Sequence, residues 1–359
     1  MLHVTQIGDY GVGRYLRNLV EVEVEAGWEV SVAGNPEGWL RDRAIDAGAR
    51  WHDWTATRQP GPSTVREIWR LRSLIARVAP DVVHLHSSKA GLAGRLAVRR
   101  RTPTIFQPHG WSFFAAEGTR SRAALAWEQF ATRWSDAVVC VSDAERAHGE
   151  GSGIAARWRV VPTAVDAARF APGDRAAARI ALDLGQEPTA ICVSRLAIKH
   201  KAQDVLLDAW REVEAAVPGA TLLLLGGGPD RAILERGASP AVRFLGERDD
   251  VATWMRAANV VVQPSRYEGL SMSVLEALAC GRSVVVTDCV GMRESVADVG
   301  AVVPIDDREA LAGALIVRLR DPGAADEEGA RGRLRAVEQF SRVGWAQAML
   351  DLTCDVARR

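Results

Sequence analysis

The chain has 359 residues, 48% of them hydrophobic and 25% charged, and carries no net formal charge. That length supports two domains with separate cores, and the composition is that of a globular protein. Zero net charge argues against wholesale nucleic-acid binding, and no apolar run reaches the ~18 residues a bilayer span needs.

Residues 2–7 form an apolar strand, followed by Gly8-Asp9-Tyr10-Gly11-Val12-Gly13-Arg14 before a helix. The G-x-x-G-x-G spacing is not the dinucleotide fingerprint. Gly11, Val12 and Gly13 would nevertheless let a phosphate or sugar approach the helix N-terminus. Residues 20–25 alternate strictly, as a strand does, but they continue the helical spacing of Tyr15, Leu16 and Leu19 and precede Gly27. Helix is the better fit. Further strands are expected at 29–33, 82–86, Thr104–Gln107, 137–141 and 158–161, with an amphipathic helix over 65–78. His84 and His86 share one face of a strand end, where core packing is their expected role. His109, in Pro108-His109-Gly110-Trp111, follows a strand as either a packed loop residue or a functional one.

A break is expected at 166–173, which contains Pro172 and Gly173, giving domains 1–168 and 169–342. Beyond it, strands are expected at Thr189–Val193, Thr221–Leu225, 242–245, Val260–Gln263 and Ser283–Thr287, with a helix over 203–217. Strands alternating with helices imply two parallel, doubly wound sheets, an α/β fold of two Rossmann-like domains. Arg195, Lys199 and Lys201 follow the first of these strands, where open α/β sheets bind ligands. Arg195 and Lys201 could neutralise a diphosphate, or the loop could simply be solvated. Gly226, Gly227 and Gly228 end the next strand, permitting close backbone approach to a ligand or a tight turn.

Glu268 and Glu276 flank the expected start of a helix near Ser271. Helix N-termini favour anions, so two acids there could hold sugar hydroxyls while backbone amides hold phosphate. A general acid/base couple is the other reading of such a pair. Five scattered cysteines lack any C-x-x-C pair and read as buried thiols in a reducing compartment. No His, Cys, Asp and Glu cluster has metal-ligand spacing. The N-terminus is unlike a signal peptide, so a cytoplasmic location is expected.

In order and spacing these pieces resemble the retaining GT-B glycosyltransferases of glycosyltransferase family 4, almost end to end. The landmarks are Gly11-Val12-Gly13-Arg14, residues 81–91, Pro108-His109-Gly110, residues 141–145, residues 160–166, Ser194-Arg195-Leu196, Gly226-Gly227-Gly228-Pro229 and the acid pair. The resemblance implies GT-B architecture, two Rossmann-like domains facing across a cleft. The first binds acceptor, the second binds a nucleotide-sugar, and a final helix, in 343–359, returns to the first domain. It implies transfer from a nucleotide-sugar, a UDP-sugar being favoured, to a sugar, lipid-linked or small-molecule acceptor, as in cell-surface polysaccharide or glycoconjugate synthesis.

By the same resemblance, Glu276 holds ribose hydroxyls and Glu268 the donor sugar, while amides at Gly269, Leu270, Ser271 and Met272 bind sugar or distal phosphate. Arg195 and Lys201 stabilise the departing diphosphate in place of a metal. His109 lies near the transferred sugar, Gly11 to Gly13 near the diphosphate, and the base near Glu247 and Arg248. Neither metal nor cofactor is expected, and a front-face mechanism requires no dedicated base. Three departures stand out. Lys201 comes one residue later than usual and precedes Ala202 instead of Gly. Thr163-Ala164-Val165-Asp166 replaces Asn-Gly-Val-Asp, and Gly11 stands where a Gly-Gly pair is common. Lys199 is therefore an alternative phosphate ligand. Competing classes are a nucleotide-sugar epimerase of the same fold and a non-catalytic GT-B subunit. Arg95, Arg99, Arg100 and Arg101 could touch anionic lipid at the inner face of the membrane, or form a solvated helix face.

Overall fold

The computed structural model describes residues 1–8, 10–57 and 59–358, and within it the chain forms two compact units. Unit 1 comprises Met1–Thr163 with Val343–Arg359, and unit 2 comprises Ala164–Arg342. The chain changes units ahead of the Pro-Gly signal. Val165 donates to the Phe340 carbonyl, and Arg256 and Arg333 take the carbonyls of Ala167, Arg169, Phe170 and Ala171. Those contacts draw the expected linker into unit 2.

Unit 1 holds seven parallel strands: β1 (Leu2–Thr5), β2 (Ser31–Gly34), β3 (Arg50–Asp53), β4 (Val83–His86), β5 (Thr104–Gln107), β6 (Ala137–Cys140) and β7 (Trp158–Val160). Their order in the sheet is β3-β2-β1-β4-β5-β6-β7. Unit 2 holds β8 (Thr189–Val193), β9 (Thr221–Leu225), β10 (Val242–Gly246), β11 (Val260–Gln263), β12 (Ser283–Thr287) and β13 (Ala301–Val303), ordered β10-β9-β8-β11-β12-β13. In each sheet the order reverses direction once, between β1 and β4 and between β8 and β11. Such switch points leave a crevice at the carboxyl ends of the strands. Central strands such as β8 and β12 are buried along their whole length, which explains their continuous apolar sequence. The sequence reading missed β3 and β13. Both are short edge strands and neither is fully buried, so neither carries an apolar run.

Residues 20–25 are helical, closing the helix Tyr10–Glu25. The helix Ser87–Val98 packs so closely on the sheet that a Cβ at Gly94 would meet Leu85 at 2.2 Å, and one at Gly91 would meet Phe106 at 2.4 Å. Its Lys89 is buried in a 2.6 Å pair with Glu67. Arg95 on the same helix is not a surface cation. It is fully buried, paired with Glu128 at 2.8 Å, with its guanidinium 3.9 Å from the Phe106 ring. Burial pushes Glu128 upward and Arg95 downward from their ordinary values.

The helix Arg342–Ala357 packs in unit 1, where Trp345 meets the Tyr15 ring edge-on and the Met349 Sδ accepts from the Tyr15 hydroxyl at 3.5 Å. No helix among the described residues is long and apolar enough to cross a membrane.

Glu128→Ala strands the Arg95 charge in the core and should cost about 3–5 kcal/mol. Arg95→Leu/Glu128→Leu should cost less, since no lone charge remains. Urea unfolding of both variants measures the difference.

Candidate functional site

In unit 2, the loops that leave β8 and β11 are bound to one another. Both Arg266 N–H and Tyr267 N–H donate to the His200 carbonyl, at 2.9 and 3.3 Å. The Arg266 guanidinium bridges Asp204, Asp306 and the Ile198 carbonyl. This clasp brings Lys201, at the end of the short helix Ile198–Lys201, to Glu268, with Nζ to Oε1 at 2.5 Å. The same oxygen accepts from Ser265 Oγ at 2.7 Å and Gln263 Nε2 at 3.2 Å. Of the two candidate lysines, Lys201 is thus the one joined to the acid pair's first member, while Lys199 is exposed. Arg195 leaves β8 on the same loop that leads to Lys201, and Gln203 Nε2 holds that loop through the Arg195 carbonyl at 2.8 Å.

Glu276 lies on the second turn of the helix Met272–Ala279, behind the N-cap Ser271, and is 3% exposed. Leu275 N–H donates to the Ser271 carbonyl, so the amides ahead of it lie at the positive end of the helix. Gly269 and Met272 are half-buried at that end, and Leu270 and Ser271 are buried.

The glycines divide into two kinds. A Cβ at Gly226 would meet the Ser194 carbonyl oxygen at 2.1 Å, and Gly226 has φ +137°. At Gly228 it would meet the Leu196 oxygen at 2.2 Å, and at Gly227 the Glu247 carboxylate at 2.9 Å. These glycines let the β8 and β9 loops pack backbone to backbone. Arg248 is engaged on its own loop by a bidentate bond to Asp250, 2.9 Å for each N–H. In unit 1, Gly11, Val12 and Gly13 belong to the first turn of the helix Tyr10–Glu25 and not to a loop before it. Asp9 of that motif is outside the described residues. A Cβ at Gly13 would meet the Gly8 oxygen at 2.4 Å, whereas a Cβ at Gly11 would meet nothing within 4 Å. Gly11 is exposed and Gly13 buried.

His109 follows β5 with φ +52°, ahead of Gly110 at +98°. Glu145 holds this turn, accepting from Gly110 N–H at 2.5 Å and Val141 N–H at 2.8 Å. Burial pushes the Glu145 carboxyl up to about 7. The Tyr15 ring lies edge-on to His109 at 4.9 Å. His109 Nε2 contacts His86 Nδ1 at 3.1 Å, His86 in turn joins His3, and His3 joins Glu23. Burial holds His84, His86 and His109 below the ordinary imidazole value. His3 and Glu23 carried no signal in the sequence, because His3 meets His86, 83 residues on, through the pairing of β1 with β4, and meets Glu23, 20 residues on, through a helix packed on the sheet. His3, His84 and His86 bring three ligand nitrogens within 4.8 Å of one another, a grouping that linear spacing did not reveal.

The family model described as Glycosyl transferase 4-like domain matches residues 10–164, and that described as Glycosyl transferases group 1 matches residues 187–321. The chain is 31% identical to a D-inositol 3-phosphate glycosyltransferase of Jonesia denitrificans, over 76% of this chain and 70% of that one. It is 30% identical to a GDP-mannose-dependent alpha-(1-6)-phosphatidylinositol monomannoside mannosyltransferase of Mycobacterium tuberculosis, over 82% of each. Among solved structures, Anabaena HepE in complex with UDP and glucose matches with a TM-score of 0.85, covering 98% of both chains at 19% identity. The GT-B fold is shared with that structure.

Gly226→Ala should lower the melting temperature of the free protein by several degrees, whereas Gly11→Ala should leave it unchanged or raise it; differential scanning fluorimetry separates them. Glu145 also predicts a pH effect. Its folded value lies above the unfolded one, so its contribution is full below about pH 4.5 and is lost as pH rises to about 7. Glu145→Gln should flatten the stability profile across that window in urea titrations.

Proposed function

The chain belongs to the group 1 glycosyltransferases, and from that premise we propose a retaining, metal-independent transfer from a nucleoside-diphosphate sugar to an acceptor hydroxyl. The observation that carries this reading is the Lys201–Glu268 pair at the β8/β11 switch point, on loops shared with Arg195.

In this reading Lys201 and Arg195 meet the diphosphate, one as a point charge and one as a fork. As the bond from the anomeric carbon to phosphate breaks, they stabilise the negative charge that develops. The leaving phosphate oxygen takes the proton of the acceptor hydroxyl on the same face, so configuration is retained and no separate base is needed. Glu276, buried and held on a helix, accepts from the ribose hydroxyls. Glu268 turns from Lys201 to the donor sugar, and the amides of residues 269–272 bind sugar or distal phosphate. In unit 1, Gly11 leaves room for phosphate at a helix N-terminus, and His109 meets the transferred sugar. The bidentate bond to Asp250 leaves Arg248 a minor part in holding the base.

For the donor, GDP-mannose has better support than a UDP-sugar. The mycobacterial relative that names its donor names GDP-mannose, whereas the UDP complex is a match at 19% identity. Both relatives name inositol-bearing acceptors, which favours a phosphoinositol or lipid-linked acceptor over a free sugar.

A screen of GDP-, UDP-, dTDP- and ADP-sugars by thermal shift tests the donor. Ligand at a hundred times Kd adds about 2.7 kcal/mol to apparent stability. GDP-mannose should raise the melting temperature of the wild type but not of Glu276→Ala, and equal stabilisation of both would refute the donor site. Arg195→Ala should mainly lower turnover. Activity lost in EDTA and restored by Mg²⁺ or Mn²⁺ would end the metal-independent reading.

A further inference from the structure

We propose that Glu23, His3 and His86 form a buried relay that fixes the tautomer of His109 and presents its Nδ1 as a hydrogen-bond acceptor. The inference rests on the reading that His109 meets the transferred sugar.

Four side chains form one continuous line. Glu23 Oε2 is 2.6 Å from His3 Nε2, His3 Nδ1 is 3.1 Å from His86 Nε2, and His86 Nδ1 is 3.1 Å from His109 Nε2. Glu23, His3 and His86 are 1%, 0% and 0% exposed, and only His109 keeps partial exposure. The fold builds the line from separate elements. His3 is on β1, in register with His84 on β4, and both lie beside the switch point of the first sheet. Glu23 comes from the helix Tyr10–Glu25, and His109 follows β5.

A neutral imidazole has one donor and one acceptor nitrogen, so a choice made at one end of such a chain passes to the other. A carboxylate can only accept. With Glu23 ionised, His3 donates from Nε2 and accepts at Nδ1. His86 must then donate from Nε2 and accept at Nδ1. His109 donates from Nε2, which leaves its Nδ1 without a proton. Burial holds His86 and His109 neutral. The edge-on Tyr15 ring restrains the plane of the His109 imidazole, and Glu145 fixes its backbone turn.

A buried polar chain of this length is costly, because apolar residues would fill the same space without needing partners. His109 also holds a left-handed backbone conformation that a non-glycine residue adopts at a cost. Both features are explained if the chain serves the one imidazole that reaches the surface. His3, His84 and His86 also bring three nitrogens within reach of one cation, the alternative that the test below separates; in this structure His3 and His86 are hydrogen-bonded to each other directly.

The test is long-range ¹H–¹⁵N NMR of full-length protein labelled at histidine, at neutral pH, with His109 assigned by its loss in His109→Gln. The expected wild-type spectrum has the His109 proton on Nε2. Glu23→Met removes the acceptor and should leave His109 a mixture of tautomers. Turnover should fall about tenfold, the worth of one hydrogen bond, with little change in donor KM. Glu23→Gln, whose amide oxygen accepts the same bond, should restore both tautomer and turnover; a merely structural glutamate would not produce that paired rescue. Should Glu23→Met fail to fold, His3→Phe breaks the chain one link later. A wild-type His109 protonated on Nδ1, as an imidazolium at His3 would impose, overturns the relay. So does stoichiometric zinc on His3 and His86, or a tautomer indifferent to Glu23. If the tautomer follows Glu23 but His109→Ala transfers sugar normally, the relay stands and the reading of His109 falls.

Discussion

Parallel pairing across the two switch points is the constraint on which the candidate sites depend. In unit 2, Val260 and Val261 of β11 register with Ala190 and Ile191 of β8, which puts the carboxyl ends of two central strands side by side. Everything chemical in that unit follows from those ends. Arg195 and Lys201 come off one, Glu268 and the helix bearing Glu276 come off the other, and their loops cannot avoid meeting. In unit 1, β1 against β4 does the same for His3, His84 and His86.

The two sites use buried polarity differently. Glu268 is a shared acceptor for a cation, a hydroxyl and an amide, so its orientation is set by three donors while it keeps some exposure. A ligand carrying phosphate can compete for Lys201 without rebuilding the core. The imidazole chain is sealed, and its cost can be recovered only through the partly exposed His109. The pairs Lys89–Glu67 and Arg95–Glu128 elsewhere in unit 1 join neighbouring helices, are buried, and present no charge to solvent.

Much of the fold was legible because buried parallel strands write apolar runs into the sequence. β5, β8, β9, β11 and β12 occur at the residues where such runs stand. The edge strands β3 and β13 escaped because a half-exposed, three- or four-residue strand needs no such run. The glycine motifs were legible as motifs but not in their reasons. Gly226 and Gly228 are demanded by the carbonyls of Ser194 and Leu196, while Gly11, in a similar pattern, has open space around it. Arg95 was grouped with Arg99 to Arg101 as a surface cation, since charge along a helix gives no hint that one residue faces Glu128 across the core.

By itself, the sequence determined the two α/β halves, the positions of the buried strands, and the acids, cations and histidine that stand at strand ends. Local spacing suffices for these, because period, turn residues and strand ends are properties of short segments. Tertiary structure alone decided that Lys201 pairs with Glu268, that Gly11 is open and Gly226 closed, and that Glu23 and His3 stand behind His109. Those relations depend on residues tens of positions apart, which only the register of parallel strands and the packing of helices on them bring together.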